Sequence, residues 1–386
     1  MLFTSTDFLS LRLPPQLHEL RQAVRAFVDD QLARGRYEPH LGHGEFDPEF
    51  SQALGARGWI GMTWPRRYGG HERTYLERFV VTEELLAAAA PVAAHWVADR
   101  QSGPSLLRWG TEAQRQKYLP EIAAGRCYFA IGMSEPNSGS DLASVRTRAT
   151  RVDGGWMLNG QKVWTSWAHR ATVMFVLCRT SPLGEKKHEG LSQLIVDMKS
   201  PGVNIRPINF LNGEHHFNEV FFDDVLVPDD MVLGTVGQGW RQVTSELALE
   251  RSGPERYMNT LPLFFALVDA LGANADRMAT HLVGTLLARF TAIRTMSLAI
   301  ASEFGREQVP DLATEAALVK DIGTHYEREI TEAFRSLIAC TPCLHADRQL
   351  ERYLAEATLF APISTIRGGT TQVLRGIVAK RLEARP

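Results

Sequence analysis

Four cysteines in 386 residues are too few and too scattered for a disulfide framework, so a small secreted scaffold is excluded and a reducing compartment suits the chain. Net charge is nearly absent as well. Lysine and arginine total 42 against 44 acidic residues, a balance of −2. That leaves no basic stripe for nucleic acid and no acidic tail. No apolar run reaches bilayer length. The longest, "LLAAAAPVAAHWVA" (Leu85–Ala98), is short and contains a proline. The opening "MLFTSTDFLSLRLPP" has neither the basic start nor the apolar core of a signal peptide. The expectation is a cytoplasmic protein with no nucleic-acid and no membrane partner. Cys340 and Cys343 form a CxxC near His345, but no second ligand pair matches it. A buried apolar role is expected for them. The adjacent His215 and His216 would point to opposite faces of a strand, so no metal site is expected.

What is present is a change of texture along the chain. From about Gln16 to Gly125 the pattern is helical, as in "LHELRQAVRAFVDDQL" and "YLERFVVTEELLAAAA", with apolar residues three and four apart. Thr111 reads as an N-cap for "TEAQRQKYLPEIAAG". From Cys127 the runs become short and rich in β-branched and aromatic residues: "YFAIGMS", "VWTSW", "TVMFVLCRT", "SQLIVDM", "VNIRPI", "NEVFFDDVLVP". Turns such as Asn159-Gly160 separate them. A small antiparallel barrel or sandwich of about a hundred residues is expected there. From Gly239 the pattern is helical again and predicts a bundle. No βαβ alternation appears, which argues against a Rossmann fold. The predicted class is α+β. Its parts are an N-terminal α-helical domain (1–126), a central β-barrel domain (127–236) and a C-terminal helical bundle (237–386).

Three segments carry candidate chemistry. "MSEPNSGSDLASVRT" (Met133–Thr147) packs Ser134, Asn137, Ser138, Gly139, Ser140 and Asp141 together after a strand. Such a loop offers hydroxyls and close backbone N–H groups to a phosphate or a heteroaromatic ring; a polar turn capping the strand is the alternative. In "GQKVWTSWAHRA", Trp164 could wall off a flat cofactor while Thr165 or Ser166 bonds a ring nitrogen. The alternative is one buried and one exposed aromatic on a strand. In "LALERSGPER", Glu250 shares a helix side with Trp240, Val243 and Leu247. A carboxylate facing an apolar stripe has a raised pKa and can abstract a proton near neutral pH; a salt bridge to a neighbouring arginine is the other reading. Glu246 borders the same stripe. "STIRGGTTQVLRG" has the shape of an active-site loop but holds no acid.

Taken together, these segments resemble the acyl-CoA dehydrogenase family, in the expected helix–barrel–helix order. "MSEPNSGSD" resembles its flavin loop, "KVWTS" its Lys-x-Trp-Ile-Thr strand, and "FNEVFFDDVLVP" with "GTVGQGW" its barrel exit. "IRGGTTQVLRGIVAKRL" resembles its Tyr-Glu-Gly-Thr loop and final helix. The resemblance implies FAD as cofactor, held by Met133, Ser134, Gly139, Ser140, Trp164, Thr165, Ser166, Thr370 and Gln372. Ser166 would lie near flavin N5, Trp164 over the ring and Ser140 at the pyrophosphate. Ser140, Arg251, Arg367 and Gly369 are implied substrate contacts. The family's usual base position is Gly368 here, preceded by Arg367. A minority branch typified by isovaleryl-CoA dehydrogenase instead carries the Glu in a Glu-Arg pair on a bundle helix, which Glu250–Arg251 matches. The implied reaction is α,β-dehydrogenation of an acyl-CoA to the trans-2-enoyl thioester, as in fatty acid metabolism. Glu250 would be the base, with the Gly368 backbone N–H on the carbonyl and hydride passing to N5. Electrons would pass to an electron-transferring flavoprotein.

The sequence also departs from the family. Its Arg-x-x-Phe-Gly segment is not recognisable around "RMATHLVGTLLARF", and its Gly-Gly-rich segment is missing near "ACTPCLHADRQL". The adenine half of FAD is therefore expected to be held differently. Gly253-Pro254 would kink the base helix and widen the pocket. A homodimer or tetramer is expected, or a hetero-oligomer with a paralogue. The rival functions are a non-catalytic subunit of such a complex and a same-fold flavin oxidase or monooxygenase.

Overall fold

The computed structural model describes residues 13–383 except 43–44, 307–310, 342–343 and 345–346; the side chains of 246–250 and of 274 lie outside the description. Packing groups the chain into two compact units. One comprises 1–45, 73–91 and 248–386; the other comprises 46–72 and 92–247. The order is helices, then strands, then helices, as the texture of the sequence predicts.

The first unit is helical. It contains α1 (Gln16–Ala33), α3 (Tyr75–Ala87), α8 (Leu261–Leu271), α9 (Arg277–Glu303), α10 (Ala313–Ala339), α11 (Arg348–Ser364) and α12 (Thr371–Glu383). Helix α3 starts at a capping box in which Thr74 and Glu77 satisfy each other's backbone N–H. Its buried Glu83 takes Arg21 of α1 at 2.9 Å and Arg294 of α9 at 2.9 Å, so one carboxylate ties three helices. Helix α9 is long and apolar enough by composition to cross a membrane. Here it packs beside α3 and α10 and supplies the Arg294 cation to Glu83. Helix α10 ends at Ala339 with Cys340 as its C-cap. Cys340 is exposed there, which corrects the buried role expected from the CxxC; Cys343 lies outside the described residues.

The second unit contains α2 (Pro48–Ala56), α4 (Ala93–Val97), α5 (Gly103–Trp109), α6 (Glu112–Ala123) and a sheet. The strands are β1 (Phe129–Gly132), β2 (Arg148–Val152), β3 (Gly155–Ser166), β4 (Val173–Arg179), β5 (Leu191–Asp197), β6 (Val203–Asn209) and β7 (His215–Pro228). They run β1-β4-β2-β3-β7-β6, with β5 pairing on β4. Most pairings are antiparallel, whereas β4 runs parallel to β1 and β2. Strand β4 is buried on both faces, which explains its unbroken apolar run "VMFVLC". Strand β6 is the exposed edge and carries Pro207, a residue an edge tolerates. The core gathers Leu158, Val176, Leu194, Val220 and Val225. Helix α7 (Gly239–Arg251) comes next, and the boundary between the units falls inside it. It stops at Arg251. Gly253 and Pro254 end the helix instead of kinking it, and Pro254–Arg256 form a single 3-10 turn.

Candidate active site

In the sheet unit the loop after β1 is held from beneath by a buried ion pair. The Lys162 side chain is fully buried on β3, and its Nζ donates to Glu135 Oε1 at 2.8 Å and to the Met133 carbonyl at 3.0 Å. Glu135 also accepts from the N–H groups of Arg146 (2.6 Å) and Thr147 (2.9 Å). Burial alone would raise the Glu135 carboxyl. The Lys162 charge and these hydrogen bonds outweigh burial and hold it below the usual range. The loop then turns back on itself through paired bonds between Glu135 and Ser138, at 2.8 and 3.0 Å. Ser134 is stitched to β3 by the Val163 N–H at 2.9 Å. Sequence reasoning does not single out Glu135 and Lys162, although both lie inside the motifs "MSEPNSGSD" and "KVWTS".

Strand β3 breaks register between Lys162 and Thr165. Trp164 sits in that bulge with φ +60°. A bulky residue in left-handed backbone is rare and stores strain, and bulges of this kind gather next to active sites. Its indole is 57% exposed, touching Phe217 edge-on. Thr165 is buried, and its Oγ1 has no partner among the described residues. Behind it the fully buried Asn218 donates to the Thr165 carbonyl at 3.0 Å. Asn218 Oδ1 accepts from His215 Nε2 at 2.7 Å and His169 Nδ1 at 3.2 Å. His215 stacks on His169, and His216 on Trp167. Among the described residues no group of His, Cys, Asp and Glu could hold a metal.

These residues fit a flat, polar ring system. An exposed indole stands in a strained bulge, and the half-buried Ser134 and Ser166 make no side-chain hydrogen bond among the described residues. Beside Gly139 there is open space where a side chain would otherwise stand. Ser140 is exposed.

In the helical unit the C-terminal loop passes through two glycines with positive φ, Gly368 at +71° and Gly369 at +105°. Arg251 Nε donates to the Gly368 carbonyl at 3.1 Å, and Lys320 Nζ to the Gly369 carbonyl at 2.7 Å. Thr370 Oγ1 accepts from the Val373 N–H and caps α12, while Gln372 is exposed. Arg367 lines a crevice with Asn259, Thr260 and Glu327. Thus Arg251, Gly368 and Gly369 are brought together, with Arg367 next in the chain. The backbone of Glu250 lies in the last turn of α7, one residue before Arg251. The side chains of Glu250 and Glu246 fall outside the described set.

A sheet domain that offers a ring platform, flanked in sequence by helical regions, defines a flavoenzyme class. The chain matches the acyl-CoA dehydrogenase N-terminal domain over residues 14–126 and the middle domain over 130–225. It is 32% identical to acyl-CoA dehydrogenase IpdE1 of Mycobacterium tuberculosis, over 96% of this chain and 98% of that protein. Among solved structures, the Tcur3481-Tcur3483 steroid ACAD superposes with TM-score 0.84 at 28% identity, over 98% of this chain and 100% of that one. The ChsE4-ChsE5 complex from Mycobacterium tuberculosis gives 0.81 at 27%, over 98% and 100%. The chain belongs to the acyl-CoA dehydrogenase family. It is an FAD-dependent oxidoreductase, as that family is.

Proposed function

We propose that the chain dehydrogenates an acyl-CoA thioester between its α- and β-carbons, with Glu250 as the base. One observation carries this reading. The loop that usually bears the family's acid carries Gly368 instead, while Arg251, the residue after Glu250, is bonded to that loop's backbone. The Gly368 N–H donates to no acceptor among the described residues and is offered to the thioester carbonyl. Polarising that carbonyl acidifies the α-hydrogen, which Glu250 removes. When bound, FAD supplies the acceptor for the hydride that leaves the β-carbon. Met133, Ser134, Gly139, Ser140, Trp164, Thr165, Ser166, Thr370 and Gln372 are the residues assigned to hold it, in a cytoplasmic enzyme that hands its electrons to an electron-transferring flavoprotein.

The acyl group is branched or bulky. Gly368 leaves space where a side chain usually stands, and α7 stops at Arg251, just before Gly253-Pro254. The neighbour described as a steroid ACAD favours an alicyclic group. An anaerobic panel of acyl-CoAs, read by flavin bleaching, tests this: bulky alicyclic or branched thioesters should bleach fastest, and a preference for straight medium chains would refute it. Assembly with a paralogue is a second reading, since two solved neighbours are described as pairs.

A further inference from the structure

Lys320 is not among the residues assigned above to the dehydrogenation. It lies on α10, its side chain entirely buried, where an ammonium is costly unless its donors are used. Its Nζ donates to the Gly369 carbonyl at 2.7 Å. One residue earlier, Arg251 Nε holds the Gly368 carbonyl at 3.1 Å. Two buried cations therefore grip two successive carbonyls of one loop.

Peptide geometry carries this grip to the donors on the other side of the loop. No cis bond is present among the described residues, and in a trans peptide the N–H points opposite to the preceding C=O. Pulling the carbonyls of Gly368 and Gly369 inward turns the N–H groups of Gly369 and Thr370 outward. The N–H groups of Gly368, Gly369 and Thr370 make no hydrogen bond among the described residues. A cation on a peptide oxygen also draws electron density from the linked nitrogen, so that N–H becomes a stronger donor. The positive φ at both glycines lets consecutive N–H groups face one side. A side chain at Gly369 would meet Arg251 Nη2 at 3.1 Å and would be strained at φ +105°.

We propose that Lys320 is a positioning residue which, with Arg251, orients and strengthens the N–H donors of Gly369 and Thr370, which stand beside that of Gly368 and join it in polarising the substrate thioester. Lys320 acts through the Gly369–Thr370 peptide. This role rests on the acyl-thioester reading of the site.

The test uses the purified holoenzyme, with its partner chain if one is required. The variants are Lys320→Met, which keeps length and removes the cation, and Lys320→Arg, which restores it. The probe is an arylacryloyl-CoA, whose absorption moves to the red as its carbonyl is polarised. The parent should shift the band strongly, and Lys320→Met should lose most of the shift. Its single-turnover bleaching should slow roughly tenfold or more, while KM changes less than about threefold. Lys320→Arg should recover much of both. A Met variant with the parent's red shift and bleaching rate overturns the proposal. So does a rise in KM alone with the shift intact. If the Met variant does not accumulate with flavin, Lys320→Gln, a neutral donor, takes its place, and failure of both to fold overturns the positioning role in favour of a structural one. A parent that neither shifts the band nor bleaches with any thioester removes the enzymatic reading itself, a result distinct from a parent-like variant.

Discussion

Glu250→Gln keeps the shape of the side chain and loses its ability to take a proton. If Glu250 is the base, the variant retains FAD and binds substrate, but single-turnover bleaching falls by orders of magnitude. Parent-like bleaching would exclude Glu250 and direct attention to Glu246. Adding Gly368→Glu should restore only a small part. The new carboxylate would have to occupy φ +71°, where a side chain costs about 1–2 kcal/mol. Glu327 titrates by a different logic. Burial pushes its carboxyl up, against the hydrogen bonds from Asn259 and the charges of Arg367 and Arg256. Its proton is thus held more tightly in the folded state. The stabilisation is complete below the unfolded value of about 4.3 and is lost as pH rises through the folded one. Glu327→Gln removes that dependence, so its melting temperature should gain on the parent's as pH is raised from the acid side of that window to neutrality. Melting curves that stay parallel across the range would refute this.

At the scale of elements, strand β3 does two jobs with one bulge. Residues before it bury Lys162 under the loop, and the bulge exposes Trp164. Trp164→Ala should therefore lower FAD content sharply while moving the melting temperature of the flavin-free protein little, because the indole is mostly outside the core. Equal flavin content in variant and parent would deny Trp164 its place on the ring. The alternation of short strands was legible from Cys127 onward, since β-branched runs are local signals, but Asn159-Gly160, expected as a turn between strands, lies inside β3 at a register shift. The bulge at Trp164 was not legible. It depends on β7, more than fifty residues away, pairing out of step with β3. Lys320 was half legible. Ala316, Lys320, Gly323, Glu327 and Thr331 recur at helical spacing along α10, so a charge falls on a buried face. Its partner, Gly369, is a contact that no local pattern encodes.

For the molecule as a whole, α1 and α3 of the N-terminal region share one compact unit with the C-terminal bundle, whereas α2, α4, α5 and α6 belong with the sheet. Glu83 is the most concentrated polar link within that helical unit. Removing the charge leaves Arg294 without its buried counter-charge, while Arg21 keeps Glu84 at 2.7 Å, and breaking such a pair costs about 3–5 kcal/mol. Glu83→Gln should lower the denaturation midpoint accordingly. Added salt should barely affect the parent, because buried pairs are poorly screened. A loss no larger than that of a surface ion pair would show that the link contributes little. Assembly is tested by flavin content. Protein made alone should be yellow if it acts as a homo-oligomer, and should gain flavin only on co-expression with a paralogue if the pair is obligatory.

The sequence by itself determined the order of helices, strands and helices, and the family. Periodicity, turn chemistry and a run of motifs are written in neighbouring residues, where burial imposes a period on side chains. It also placed an acid beside Arg251 and none in the C-terminal loop. Only the tertiary structure decided that Arg251 and Lys320 grip the carbonyls of Gly368 and Gly369, that Lys162 lies beneath the loop after β1, and that Trp164 stands in left-handed backbone. Each of these is a meeting of distant segments in a buried place. A hydrogen bond there depends on where two elements pack, and packing is a property of the folded chain.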